Sequence, residues 1–409
     1  MATGESPVEP SFAAIAKEWG RIGCIGFGGP PAHIALLHEL CVGRRGWLTE
    51  TEFERALAAV NLLPGPASTQ LAIYCAWRLR GAGGALLGGL CFILPGLVLI
   101  LALSALFLSG SPPAWLRGAG MGAGAAVAAV AVRAGLSVAA PIWRRAEGGR
   151  RARVLAYGLA GGIAAAFTGE WLVLVLVACG AIELARRRVV GLIAGASFFT
   201  PAAWPALGQR NGERLADGLR RWPLLAASVH QGGAGAVVWT AFKVGALAFG
   251  GGFVIVPLMQ ADAVSTYHWM THGQFLNAVA LGQVTPGPVT HTVAAVGYAA
   301  GGFPGALLAA LVAFAPSFSF ILLGATRFER ILVNEAVLAF LGGATPAAAG
   351  AIIGSTVPLT AALAETWQYA VLAAAAIALL ALRRGVVQTL LFAGCAGVAA
   401  ALLGAPIPH

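Results

Sequence analysis

Apolar positions come in long blocks along this chain, and short Gly/Pro-rich or polar breaks separate them from Phe12 to Leu403. Phe12 to Gly29 is apolar but interrupted by glycines, Pro30-Pro31 follows, and Ala32 to Val42 makes a second short piece. Together these predict a broken helix or hairpin. Thr49 with Glu52 three residues on predicts a capping box opening a helix from Thr49 to Leu63. That helix stops at Pro64-Gly65-Pro66, and the next runs from Ala67 to about Arg80. Gly84 to Leu108 reads as a full span kinked at Pro95, and Ala114 to Ala140 as another. Val154 to Phe167 and Trp171 to Leu184 are shorter spans around Thr168-Gly169-Glu170. Val189 to Leu207 is an extra apolar segment, and Gln209 to Arg221 is the most polar stretch. The order then returns: a broken segment from Ala234 to Val264, a helix from Thr271, a Pro286-Gly287-Pro288 break and a helix from Val289. A span from Pro304 to Thr326 with Pro316 inside follows, then spans at Val333 to Val357, Gln368 to Leu382 and Val386 to Leu403.

The return is an internal duplication. Arg21-Ile22-Gly23-Cys24-Ile25-Gly26-Phe27-Gly28-Gly29 comes back as Lys243-Val244-Gly245-Ala246-Leu247-Ala248-Phe249-Gly250-Gly251, 222 positions later. In that ungapped frame Trp47 meets Trp269, Thr49 meets Thr271, Phe53 meets Phe275 and the two Pro-Gly-Pro triplets coincide. Ala14 to Ala72 holds 16 identities in 59 aligned positions. We divide the chain into a tail (1–11), a first repeat with a connecting membrane segment (12–207), a polar linker (208–222) and a second repeat (223–405).

Composition narrows the class. The 409 residues are 58% hydrophobic and 10% charged, with mean hydropathy +0.81, against about 25% charged in soluble domains. The pattern predicts an all-α integral membrane protein of roughly 10 to 13 membrane segments. Glu5 and Glu9, with no basic residue beside them, argue against a cleaved signal peptide. Net charge is +10, which here is an orientation signal from loop arginines and not a sign of nucleic-acid binding. The clusters are Arg44-Arg45, Arg144 to Arg153, Arg186 to Arg188, Arg210 to Arg221 and Arg383-Arg384. Cys24, Cys41, Cys75, Cys91, Cys179 and Cys395 show neither metal spacing nor a CxxC pair and read as buried thiols, so no metal site, disulfide or cofactor is expected.

Loop charge also sets the relation of the halves. Arg44-Arg45, Arg78/Arg80 and Arg144 to Arg153 mark one side in the first half, whereas the matching loops at Asp262 to His272, Gly301 to Phe303 and Ala361 to Glu365 lack Lys and Arg. The neutral bend at Ser109 to Pro113 is answered by Arg327 and Arg330, and Gly169-Glu170 by Arg383-Arg384. Each comparison reverses sign, so the repeats are expected to be inverted. Inversion needs an odd crossing between them, assigned to Val189 to Leu207, which sets Arg210 to Arg221 against the charge rule.

Inverted repeats with matched breaks point to a transporter whose site lies where the breaks meet. Helices restarting at Ala67 and Val289 present N–H groups suited to an anion. Ser68, Thr69, Thr290 and His291 add donors, and Asn61 and Gln283 stand at aligned positions before Pro64-Gly65-Pro66 and Pro286-Gly287-Pro288. Arg21 and Lys243 share a repeat position inside apolar segments, where a cation costs about 2.5 to 3.5 kcal/mol. Either they snorkel to the interface or they face a shared centre suited to a dianion. Glu39 and Asp262 are candidates for proton coupling or for pairing with these cations; His33, His38 and His291 are open. Arg133, inside a span, needs a partner the sequence does not name.

Phe27-Gly28-Gly29-Pro30-Pro31, its partner Phe249-Gly250-Gly251-Gly252, Leu63-Pro64-Gly65-Pro66 and Gln283-Val284-Thr285-Pro286-Gly287-Pro288 resemble the chromate ion transporter family in its long, two-domain form, over about residues 12 to 405. The resemblance implies a prokaryotic inner-membrane protein that exports chromate, gives chromate resistance and is driven by the membrane potential or a proton gradient. Sulfate is a related oxyanion. The alternatives are a sulfate or other anion carrier on the same scaffold, a passive channel, or a membrane enzyme. An enzyme would need redox thiols, a cofactor motif or a metal cluster, and no Walker A sequence is present. Gly118, Gly120, Gly122 and Gly124 permit close helix approach, within the chain or in a homodimer.

Overall fold

The computed structural model describes residues 9–63, 65–108, 112–167, 171–195, 232–248, 253–325 and 334–407, and no strand occurs among them. Expectations on Pro64, Thr168-Gly169-Glu170, Phe249, Gly250, Gly251, Arg327, Arg330 and the stretch 196–231, which holds the polar linker, lie outside the described residues.

The first repeat opens with α1 (Phe12–Ile25), capped by the Ser11 hydroxyl accepting from the Ala14 N–H at 3.2 Å and ended at Gly26. After Gly29 comes α2 (Pro30–His38), whose two prolines occupy positions where no intrahelical N–H is needed; a π-turn (Glu39–Arg44) extends it. The Thr49–Glu52 capping box forms as expected and opens α3 (Glu50–Leu62). Next, α4 (Ala67–Phe107) reverses at Arg80–Gly81, where the backbone leaves helical angles. Ideal Cβ atoms at Gly84 and Gly88 would press on Ala76, and one at Gly89 on Ile73, so the two limbs pack antiparallel as a hairpin. The only non-helical angles are at this turn, so Pro95 does not interrupt the second limb. Three long helices follow: α5 (Ala114–Arg144), α6 (Gly149–Phe167) and α7 (Leu172–Gly195). Arg186, Arg187 and Arg188 lie within α7, not in a loop, and α7 absorbs the first residues of the connecting segment expected from Val189.

The second repeat retraces this order with α8 (Ala234–Leu247), α9 (Ile255–Gln260) extended by a π-turn (Ala261–Thr266), and α10 (His272–Val284) behind a Thr271–Gln274 capping box. A 3-10 turn (Val289–His291) leads into α11 (Thr292–Gly324), which reverses at Gly301–Gly302 with nearly the angles of Arg80–Gly81. The chain finishes with α12 (Glu335–Gly354), α13 (Thr356–Ala361), α14 (Thr366–Ala376) with its π-turn (Ile377–Ala381), and α15 (Val386–Leu402). By length and composition Ala67–Phe107, Ala114–Arg144, Val289–Gly324 and Glu335–Ala361 can cross a membrane. The outer surface is correspondingly apolar, with Val98 64%, Leu311 71% and Phe392 76% exposed.

Beyond the hairpins the repeats exchange partners. α5 of the first packs on α14 and α15 of the second, while α12 of the second packs on α6 and α7 of the first. Small residues make both contacts close: Gly118 and Gly122 face the backbone at Gly397 and Ala393, and Gly350 and Gly354 face Gly158 and Gly162. Gly120 and Gly124 face Asn277 and Leu276 of α10. The glycine stripe is therefore used inside the chain. Arg133 donates to the Arg384 carbonyl. All six cysteines are free thiols, and Cys24 and Cys395, expected to be buried, are exposed.

The ends of the molecule are distinct. Gly83 lies against Phe12, Arg80 pairs with Glu9 at 3.2 Å and Arg78 with Glu52 at 2.6 Å, so α1, α3 and the α4 turn share one end. The second limb of α4 carries the chain about 40 Å to the other end, where α5 begins. The middle of α10, at Leu276 and Asn277, packs on α5 at Gly124 and Gly120.

Gly122→Val would drive a Cβ into the Ala393 carbonyl, whereas a Cβ at Gly394 finds its nearest neighbour at an ordinary 3.5 Å. Overpacking costs roughly 1 to 3 kcal/mol. Thermal unfolding of the detergent-solubilised protein should therefore fall for Gly122→Val and stay near wild type for Gly394→Ala. Equal effects would contradict the α5–α15 packing.

Candidate functional site

Two breaks in the helices meet in the interior. α3 ends at Leu63 in extended conformation, and α4 restarts behind an extended Pro66 with no side chain capping it. The second break has the same form: Thr285 and Pro288 are extended and no side chain caps the restart at Val289. Gly65 and Gly287 sit at φ +124° and +93°, angles that only glycine adopts without strain. Helix ends without partners cannot face lipid, and the chain answers this across the repeats. The Gly287 N–H donates to the carbonyl of Gly26, where α1 stops, at 2.9 Å. At the other break a Cβ on Gly65 would lie 3.4 Å from the Gly245 carbonyl on α8, three residues before the position that matches Gly26.

Around the Gly26–Gly287 junction stands a buried polar cluster. His33 Nε2 lies 2.8 Å from the Gly26 carbonyl oxygen and Nδ1 lies 3.2 Å from Ser68 Oγ. A carbonyl only accepts, so Nε2 carries the hydrogen and Nδ1 accepts from the Ser68 hydroxyl. The His33 ring meets Phe92 edge-on at 5.2 Å, and His291 meets Phe314 at 5.4 Å. His291 lies close enough to His33 for their charges to interact, and the Ile93 carbonyl stands beside its ring. Close approach makes room for this imidazole: a Cβ at Gly96 would overlap the Pro286 carbonyl oxygen and lie 2.7 Å from His291. Thr69 Oγ1, Thr290 Oγ1, Gln283 Nε2, Thr285 Oγ1 and both His291 ring nitrogens are buried without a hydrogen-bond partner. Thr69, Thr290 and His291 are each 0% exposed. Buried polar atoms left unsatisfied mark a place where a ligand or water completes the bonding.

The charged residues lie elsewhere. Lys243 Nζ sits 2.6 and 2.7 Å from the two Asp262 carboxylate oxygens, Thr240 Oγ1 donates to the same carboxylate at 2.7 Å, and the ammonium lies 5.5 Å from the Trp239 ring centre. Arg21 is half exposed and lies 3.7 Å from Glu18. Glu18 is 4% exposed and receives Arg44 at 2.5 Å and Arg45 at 2.6 Å. Each expected cation thus has an acid within its own repeat, and Arg21 and Lys243 do not stand as a free pair. The Glu18–Arg44 and Lys243–Asp262 pairs also tie the first helix of each repeat to the π-turn behind its break, with opposite polarity: acid on α1, base on α8.

The remaining expected residues divide. Gly65, Pro66, Ser68, Thr69, Gln283, Pro286, Gly287, Pro288, Thr290 and His291 are buried at the two breaks. Phe27, Gly28, Asn61 and Glu39 are exposed and Gly29 is half-buried, so Asn61 and Gln283, aligned in sequence, differ in burial. His38 bonds Glu50 at 2.8 Å on the surface. Glu18, Gly26, Phe92 and Phe314 were not singled out from the sequence. Among the described residues no group of three His, Cys, Asp or Glu could hold a metal ion.

A family model described as "Chromate transporter" matches residues 13–184 and 235–400. A chromate transport protein of Cupriavidus metallidurans is 32% identical over 100% of this chain and 97% of its own length. One from Pseudomonas aeruginosa is 30% identical over 89% of this chain and 85% of its own. An uncharacterized transporter of Methanocaldococcus jannaschii is 25% identical over 80% of this chain and 78% of its own. No solved structure matches.

Removing one partner of a buried ion pair leaves an uncompensated charge and costs roughly 3 to 5 kcal/mol, whereas replacing both with apolar residues is often neutral. Lys243→Ala should therefore lower the unfolding temperature sharply, and Lys243→Met/Asp262→Leu should recover most of the loss. A single variant as stable as wild type would show that the pair is not formed in the membrane.

Proposed function

The chain belongs to the chromate transporter family, and on that premise we propose that it is a secondary active transporter carrying chromate out of the cytoplasm, with the dianion bound between the two Pro-Gly-Pro breaks. The observation that carries this is the meeting of two uncapped helix starts with buried, unpartnered hydroxyls at Thr69 and Thr290. Helix N-termini attract anions through their N–H groups and dipoles. Ser68, Gln283 and His291 stand in the same first turns or beside them, and Phe27, Gly28 and Gly29 follow directly on the Gly26 carbonyl at the end of α1. Arg21 and Lys243 are both neutralised locally and stay outside the site, and Lys243 holds the broken helices of its repeat through Asp262. Before the anion arrives the site then offers neutral donors, and a site without a fixed cation can bind an oxyanion and also release it.

We read the two repeats as inverted, alternately opening the central breaks to either side. Loop charge supports that reading: Arg44, Arg45, Arg78, Arg80 and the arginines from 144 to 153 belong at the cytoplasmic side. An interior-negative potential favours outward movement of anions by roughly 2.3 kcal/mol per elementary charge per 100 mV. Export of a dianion then needs no ATP, and chromate resistance follows from it. Sulfate has the same shape and charge and is expected to compete.

Everted membrane vesicles carrying the full chain should accumulate chromate when energised, with inhibition by excess sulfate. A hydrogen bond to a charged group contributes about 1.5 to 3 kcal/mol, so Thr69→Val and Thr290→Val should each weaken apparent chromate affinity roughly tenfold to a hundredfold. Accumulation of sulfate but not chromate would make the protein a sulfate carrier. Unchanged affinity in both valine variants would remove the anion from the breaks.

A further inference from the structure

We propose that His291 takes up one proton as the oxyanion binds and gives it up as the oxyanion leaves, so that each chromate crosses with one proton. This deepens the transport reading above and rests on it. His291 is 0% exposed and neither ring nitrogen meets hydrogen-bond geometry with a protein group, although the Ile93 carbonyl stands beside the ring. A neutral imidazole offers one N–H and one lone pair, and leaving buried donors or acceptors unused costs about 1 to 3 kcal/mol each. The ring therefore has capacity that the protein does not employ, next to the equally unused Thr290 hydroxyl.

The surroundings decide when that ring can carry charge. α2 presents His33, the second limb of α4 presents Phe92, the Ile93 carbonyl and Gly96, α11 presents Phe314, and the break presents Pro286 and Gly287. No acid stands among these described residues, and burying an unpaired cation is costly. A dianion between the breaks supplies the missing counter-charge. Linkage is reciprocal: if the anion favours the proton, the proton favours the anion to the same degree.

The stoichiometry follows from asymmetry between the repeats. At the repeat position of His291 the first half has Thr69, and at the position of His33 the second half has Ile255. The two imidazoles therefore meet at a single junction. His33 already donates to Gly26 and accepts from Ser68, and a charge on it would oppose a charge on His291. One proton per anion is the result. It passes from water at the loading side to a His291 nitrogen and returns to water at the other side, with no bond of the anion broken. One negative charge then moves outward per chromate, still favoured by the membrane potential.

The purified full chain in liposomes, with an entrapped pH dye and the potential clamped at zero by potassium and valinomycin, provides the test. A tenfold proton gradient should sustain about a tenfold chromate gradient. His291→Gln keeps a donor and an acceptor but cannot be charged; it should still move chromate, now unresponsive to the proton gradient and with two charges per anion. His33→Gln should slow transport while keeping one proton per chromate. A wild-type protein that moves two charges per chromate overturns the proposal, whether or not the variants fold. So does coupling retained in His291→Gln or lost in His33→Gln. Absence of any chromate flux from wild-type liposomes would instead refute the transport reading itself.

Discussion

The bond from the Gly287 N–H to the Gly26 carbonyl is the contact on which the interior depends. A helix broken within a bilayer exposes backbone groups that lipid cannot satisfy. Here the end of α1 in one repeat satisfies the break of the other, and His33 donates to the same carbonyl. The repeats cannot separate without orphaning these groups. The exchange of α5 and α12 onto each other's terminal helices extends that mutual dependence to the periphery. Two copies of one motif thus form one folding unit, with its polar seam enclosed by apolar helices.

Holding the broken helices in place is a separate task, given to ion pairs. In the first repeat a buried Glu18 gathers Arg44 and Arg45; in the second a buried Asp262 gathers Lys243 and Thr240. The geometric need is the same and the charges are exchanged between the two pieces. This explains how Lys243 can lie within an apolar segment: its ammonium is paired and shielded by Trp239. It also explains why the centre contains donors without a free cation among the described residues.

Much of this was legible along the chain because local chemistry is repeated locally. The offset of 222 residues located both helix starts at Thr49 and Thr271, both breaks and both broken first helices, and glycines at Gly81 and Gly302 permitted the reversals. The same offset was misleading at the site. It selects residues that agree between repeats, which led to Arg21 with Lys243 and Asn61 with Gln283. The imidazole pair is built from residues that disagree, His33 against Ile255 and His291 against Thr69, brought together only by the fold. Glu18 carries a weak signal, an acid in a largely apolar segment three residues before Arg21. The Gly26 carbonyl carries none, since its role belongs to the backbone.

The proposed anion site, with no fixed cation of its own, has a consequence for selectivity. Helix N–H groups and threonine hydroxyls respond to the charge and shape of a tetrahedral oxyanion, and chromate and sulfate share both. Discrimination between them therefore has to arise from size at the positions where the packing leaves least room. Gly96 against Pro286, and Gly287 against His291, are such positions. A side chain at either glycine would press on the break itself. On the proposed binding between the breaks, the cross-repeat junction that lets two broken helices survive in a membrane is also the point at which anions of like charge would be told apart.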